Sequence, residues 1–251
     1  MNTVKQVIVT TSWDDGHPLD SRLARLLDRY GIAGTFYVPF SNRGREVMDA
    51  CALRELARGF EIGAHTRSHP DLCTLSDETL SEEVWRAKED LEDVLSREVT
   101  MFCYPFGRHD KRVRSTVAGA GFVGARTIRE FHLVPGVEPM QMCTTLLAFP
   151  LPIHERARHE LLTRNWVGIK RLGQVASAKR WGDVAVALFE EVLAKGGVWH
   201  LWGHSWQIEE NALWQDLEAL LANIAHREGV RYLINGQVAR EAYCPTQGSS
   251  S

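Results

Sequence analysis

Apolar runs rich in β-branched and aromatic residues punctuate the chain, and between them apolar residues return at every third or fourth position. The first pattern predicts strands at 6–12, 35–39, 60–64, 100–104, 122–126, 142–149, 198–202 and 230–234, because short apolar runs bounded by turn residues read as buried strands. The second pattern predicts amphipathic helices. One presents Leu19, Leu23, Leu26, Leu27 and Tyr30 on a single face, and another presents Leu80, Val84, Ala87, Leu91 and Val94. Later helices carry Val184, Leu188 and Val192, then Leu213, Leu217, Leu220 and Ile224. Ser76 stands where an N-cap is needed, and Asp77 and Glu78 follow it at the positive end of the helix dipole. Strand-helix alternation implies a parallel sheet, and seven or eight such units imply an α/β barrel closed or nearly so. An open doubly wound sheet is the alternative, weakened because no Gly-rich phosphate loop follows the first strand. With no internal repeat or linker in view, residues 1–243 read as one domain and 244–251 as a flexible tail.

A chain of 251 residues, 44% hydrophobic and 24% charged, belongs among soluble globular proteins. Its longest apolar runs fall far short of a bilayer span. The net charge of −3 gives no reason to expect a nucleic-acid partner. The first strand begins too close to Met1 to leave room for a secretory leader. Five cysteines (Cys51, Cys73, Cys103, Cys143 and Cys244), odd in number and without a CxxC pair, suggest reduced thiols. A cytoplasmic location is the expectation.

Chemistry concentrates at the ends of the predicted strands, where active sites of such barrels gather. Asp14 and Asp15 end the first strand, and Gly16 frees the backbone to turn there. Two adjacent carboxylates at a buried strand end oppose each other and resist desolvation, a cost that a dication answers. Read alone, Asp-Asp-Gly is an ordinary surface turn. His65 and His69 follow the third strand, and Pro70 disfavours a helix there, so the pair sits in a loop. With Asp15 they make a His₂Asp set that leaves coordination positions open, as a catalytic zinc requires. Tyr104, Phe106 and Trp202 stand at the ends of the fourth and seventh strands as candidate substrate-binding residues, and Arg126 and His204 end the fifth and follow the seventh.

These motifs resemble the polysaccharide deacetylases of the NodB-homology type, carbohydrate esterase family 4. Ser12-Trp13-Asp14-Asp15-Gly16 is similar to their first motif, His65-Thr66-Arg67-Ser68-His69 matches their second, and residues 53–63 look like the lead-in to it. The likeness is good over 6–127 and weak beyond, up to His204. It implies a distorted (β/α)7-8 barrel and metal-dependent hydrolysis of an N-acyl, less often an O-acyl, group on a sugar. By position, Asp15, His65 and His69 would hold one divalent ion, zinc being expected, and Asp14 would be the general base. His204 would protonate the leaving amine, with a backbone N–H near Phe106 helping the oxyanion.

The pattern departs in two places. Cys103 occupies the third-motif position where the family carries an arginine that pairs with the base, and the fourth-motif Asp-Trp pair has no match. Arg126 is the candidate replacement for the missing arginine, and His200 shares strand parity with His204. For both, a structural place in a polar interior is the competing reading. Residues 151–180 hold seven cations (Arg156, Arg158, Arg164, Lys170, Arg171, Lys179 and Arg180) against Glu155 and Glu160. That run is either a solvated face or a lid for an anionic substrate.

The expected function is N-deacetylation of an amino-sugar precursor, nucleotide- or lipid-linked, for a surface polysaccharide such as O-antigen. The alternatives are a non-sugar amidase or deformylase on the same barrel, or a catalytically silent carbohydrate-binding relative. The intact Asp14 argues against the last.

Overall fold

In a computed structural model describing residues 5–175 and 180–243, eight parallel strands form one curled sheet. The expected tail 244–251, with Cys244, and Lys179 of the basic run lie outside the described residues. The strands are β1 Val7–Asp14, β2 Gly34–Val38, β3 Glu61–Ala64, β4 Met101–Cys103, β5 Gly124–Arg126, β6 Leu146–Leu147, β7 Gly197–Gly203 and β8 Val230–Tyr232. The helices are α1 Asp20–Arg29, α2 Ala50–Leu56, α3 Asp77–Leu95, α4 Lys111–Gly119 and α5 Ile153–Leu162. They continue with α6 Trp166–Val175, α7 Trp181–Lys195, α8 Ser205–Glu210, α9 Trp214–Ile224 and α10 Asn235–Tyr243.

The axis of the sheet is β1, buried at all eight positions. Almost its whole length pairs with β7 along one edge. On the other edge β2 takes Thr11–Asp14 and β8 takes Val7–Val9, the part that β2 does not reach. The sheet order is β5-β4-β3-β2-β1-β7-β6. A single parallel bridge between Arg126 and Met142 joins β5 to the segment leading into β6, bringing the two ends of the order together. The expected barrel-like α/β fold is the observed one.

Strand alternation divides β1 between two environments. Val7, Val9 and Trp13 pack into the large core beneath the helices, while Ile8 joins Tyr37, Met101, Cys103, Met142 and Val198 in a smaller inner cluster. Thr10, Ser12 and Asp14 share the parity of Ile8. Thr10 accepts from Asn235 Nδ2 (2.8 Å), Ser12 Oγ meets His200 Nε2 (2.8 Å), and Tyr37 donates to Asn235 Oδ1 (2.9 Å). His200 therefore belongs to the buried polar filling of the barrel.

Local signals held well. Ser76 Oγ accepts from Thr79 N–H at the start of α3, and Leu80, Val84, Ala87 and Leu91 are buried on its inner face. One strand differs: residues 142–149 yield only the two-residue β6. The backbone there is shared among several partners. Met142 bonds to Ala125 and Thr127, Cys143 donates to Pro135, and Thr144 and Thr145 pair with Arg129, Phe131 and His132. Apolarity predicted burial correctly, but the neighbouring loop took the hydrogen bonds that a longer ladder needs. Among the described residues no helix is long and apolar enough to cross a membrane.

Candidate active site

Asp14 is the last residue of β1 and points into the barrel mouth by strand parity. Asp15 has φ 79°, outside the strand region, so parity breaks and its carboxylate reaches the same mouth instead of the opposite face. Gly16 follows at φ 60°, with the Val38 side chain so near that a Cβ would sit 2.7 Å from Val38 Cγ1. Both carboxylates are buried.

The loop after β3 carries the histidines. Thr66 and His69 adopt φ 66° and 56°. Thr66 Oγ1 accepts from His69 N–H (2.9 Å), and Glu83 of α3 accepts from the N–H groups of Arg67 (3.0 Å) and Ser68 (2.8 Å). Held this way, His65 Nε2 and His69 Nε2 lie 3.2 Å apart, and Asp15 Oδ1 lies 3.8 Å from the first and 3.4 Å from the second. Donors around one ion at bonds of about 2.0–2.1 Å in a tetrahedral arrangement sit about 3.3 Å apart, so the trio fits a single zinc-like dication. His65 Nδ1 donates to the Cys103 carbonyl (2.8 Å), which fixes the tautomer and turns the Nε2 lone pair to the site. Burial lowers the His65 pKa to about 4 and lowers that of His69 as well, so both rings are neutral at neutral pH, the form that can ligate a metal. The second Asp15 oxygen accepts from Trp206 Nε1 (2.9 Å), and Asn42 donates to the first (3.2 Å).

Asp14, His65 and Cys103 also converge. That set makes a poorer metal site. Burial pushes the Cys103 thiol well above its ordinary range, so it stays protonated, and Asp14 already has a cation of its own. That cation is Arg126, fully buried, which donates through Nη2 to Asp14 Oδ1. Its plane lies near the rings of Trp202 (4.7 Å) and Tyr37 (5.4 Å), compensation for Nε and Nη1, which find no acceptor among the described residues. Cys103 Sγ lies 3.7 Å from Asp14 Oδ2 as a weak donor. Burial raises the Asp14 pKa, but Arg126, His65 and His204 outweigh it and hold the carboxyl below its ordinary value. Asp14 is thus ionised and stands apart from the ligand trio.

His204 precedes α8, half-buried, with Nδ1 3.3 Å from Gln207 Oε1 and its ring against Trp206 (5.0 Å) and Trp202 (5.8 Å). The amide oxygen accepts, so Nδ1 carries the proton and Nε2 is open. Asp14, the ligand trio and His204 face one cavity of about 870 Å³. Tyr104, Phe106 and Trp202 line it too. Tyr104 is otherwise engaged: it donates to the Met140 carbonyl (3.0 Å) and stacks on His109. Phe106, at φ 57°, is exposed and lies edge-on to His69. Trp202 is buried, its indole N–H 3.2 Å from Glu130.

Sequence reasoning missed several of these supports. Trp206 is two residues past His204, and Asn42 lies just past β2, so the strand-end criterion could have drawn attention to both. Glu83 and Asp20 carried no signal, since each looks like a helix-surface acid. Asp20 is instead fully buried, accepts from Ser205 Oγ beside His204, and is pushed well above the carboxylate range by burial. The basic run is corrected: Arg156 faces inward onto Glu130, Arg171 pairs with Glu191 (2.7 Å), and Arg180 pairs with Asp216. Of its described cations Arg164 lines a cavity near the site.

Residues 1–125 match the family model described as polysaccharide deacetylase. Over 122 residues the chain is 29% identical to a chitin deacetylase of Pestalotiopsis sp, covering 48% of this chain and 41% of that protein. Over 113 residues it is 33% identical to chitin deacetylase 1 of Cryptococcus neoformans var. grubii, covering 44% and 23%. The match thus spans less than half the length of either relative. In three dimensions the chain follows a Mycobacterium smegmatis structure assigned as a polysaccharide deacetylase, with TM-score 0.68, 17% identity, and coverage of 97% and 92%; this is a likeness of fold.

Proposed function

Because the chain belongs to the polysaccharide deacetylase family, we propose that it is a metal-dependent hydrolase removing N-acetyl groups from an amino sugar. One observation carries the reading: three ligand atoms converge at the barrel mouth, and beside them Asp14 is kept ionised by a separate cation, Arg126. Asp15, His65 and His69 would hold the ion, and their nitrogen and oxygen donors suit zinc. When bound, such an ion acidifies water and polarises an acyl carbonyl.

The remaining chemistry falls to the chain's own groups. Asp14 takes the proton that the attacking water loses. Arg126 keeps that carboxylate charged and fixes its direction, the task that Cys103 at the motif position cannot perform. His204 turns Nε2 to the departing amine and, in its imidazolium form, donates the Nε2 proton to it while Nδ1 stays bonded to Gln207. Phe106, Trp202 and Trp206 supply aromatic surface for a sugar ring. We read residues 1–243 as one such unit. The substrate in this reading is an amino-sugar precursor, carried on a nucleotide or a lipid, for a surface polysaccharide such as O-antigen. A cytoplasmic setting suits the cysteines at 51, 73, 103 and 143, all free.

The test separates ligand from base. Asp14→Asn is expected to bind the ion normally and to lose acetate release by about 10²–10⁴-fold, the usual range for a general base. His69→Ala is expected to lose the ion itself. Near-normal turnover in Asp14→Asn, or full metal content in folded His69→Ala, would overturn the assignment.

A further inference from the structure

A second cavity, of about 910 Å³, adjoins the first. The two share Phe106, Gly107, Ile128 and Asp71 as a common wall. Arg108, Arg114, Arg129 and Arg164 all line it. They come from different parts of the chain: the turn after β4, helix α4, the segment after β5 and the end of α5. Against four guanidinium groups the wall offers one carboxylate, Asp71, already paired with Arg108 at 2.6 Å. Among the described residues Arg114, Arg129 and Arg164 have no carboxylate partner, and the buried Nε of Arg129 has no acceptor at all. Elsewhere arginines do find carboxylates, even far away in sequence, as Arg156 with Glu130 and Arg180 with Asp216 show. Unpaired arginines gathered around one hollow beside a catalytic mouth call for an anion from outside the protein.

We propose that this second cavity is a subsite for a phosphate-type oxyanion borne by the same substrate whose acyl group enters the first cavity. The inference rests on the deacetylase reading and names the substrate class: an acylated amino sugar carrying phosphate, in place of a neutral oligosaccharide. Guanidinium suits the task because its fork of N–H donors matches phosphate oxygens and its charge persists at every working pH. Arg114 and Arg129 carry the recognition, with Arg164 closing the rim. His109 and His159 contribute shape: the His159 ring donates to the Ile128 carbonyl (3.0 Å), and His109 stacks on Tyr104.

The experiment has a kinetic and a binding arm. Metal-loaded enzyme is assayed for acetate release from an N-acetylated amino sugar bearing a phosphate, from the corresponding uronate-bearing sugar, and from a neutral chitin oligomer. The phosphate substrate is expected to lead in kcat/KM, by a margin that shrinks as salt rises. In Arg114→Gln/Arg129→Gln the phosphate-to-neutral ratio of kcat/KM should fall about tenfold or more, the effect of losing a charge-assisted hydrogen bond. Equal rates on phosphate and neutral substrates in the parent enzyme, or a lead for the uronate, would overturn the phosphate assignment. In the second arm, inorganic pyrophosphate is titrated into parent, His69→Ala and the double arginine variant. Binding should survive in His69→Ala and disappear in the arginine variant, and the reverse pattern would overturn the subsite. If pyrophosphate binds as expected but no substrate releases acetate, the deacetylase reading fails while the anion site stands.

Discussion

Asp14 and Asp15 are neighbours in sequence with opposite surroundings. Asp15 is held by two neutral donors, Trp206 and Asn42, which leave its charge for a metal. Asp14 is held by a buried guanidinium, which keeps it charged for the role of base proposed above. The left-handed backbone at Asp15 makes this division possible, because in a regular strand the two side chains would face opposite sides. Trp206 matters most among the outer groups, since its N–H occupies Asp15 Oδ2 and leaves Oδ1 turned to the histidines. Trp206→Phe keeps an aromatic ring and loses that donor. Metal affinity is expected to fall about 10–100-fold, the usual effect of removing an outer-shell hydrogen bond. Competition against a chelator measures it, and an unchanged affinity would remove Trp206 from the account.

At the scale of elements, helices serve the site from behind. Glu83 on α3 clamps the loop of His65 and His69, and Ser205 at the start of α8 is tied to Asp20 at the start of α1. Helix α5 carries a different device. Glu160 is fully buried, neither oxygen has a partner among the described residues, and burial together with Glu130 pushes its pKa from 4.5 to about 8. Between those values the folded protein keeps a proton that the unfolded chain has released. Its contribution is therefore harmless below about pH 4.5 and increasingly destabilising up to about pH 8, by an amount on the order of a few kcal/mol. Glu160→Gln, neutral at every pH, should flatten that decline. Melting temperatures of both proteins from about pH 5 to 8.5 will show it, and parallel profiles would mean that Glu160 is not the titrating group.

At the scale of the molecule, the curled sheet delivers loops from β1, β2, β3, β4, β5 and β7 to one mouth. An ion held by Asp15, His65 and His69 ties the end of β1 to the loop after β3, so binding should stabilise the fold by mass action. At a hundredfold excess over Kd that amounts to about 2.7 kcal/mol, or about 5–10 °C in Tm for a chain of this size. Thermal scans with and without zinc test this, with His69→Ala as the control expected to lose the shift. A shift of equal size in that variant would place the ion elsewhere.

Local features of this protein are legible in its sequence. Hydrophobic period marks the strands and the α1, α3, α7 and α9 faces, because a buried face is written into residues a few positions apart. The Asp-Asp-Gly turn and the His65–His69 spacing point to a metal for a similar reason, since each is a short segment whose chemistry travels with it. Other features depend on which strands become neighbours. Arg126 reaches Asp14 across 112 residues and Trp206 reaches Asp15 across 191, distances at which sequence spacing carries no geometry. The same holds for β6, shortened when the 129–135 loop took its hydrogen bonds, and for Arg156, drawn inward by Glu130. The basic run at 151–180 looks like a single cationic face in the sequence. Folding pairs Arg156, Arg171 and Arg180 with carboxylates and gathers Arg164 with three arginines from outside the run beside the mouth, because ion pairs form between surfaces that packing brings together.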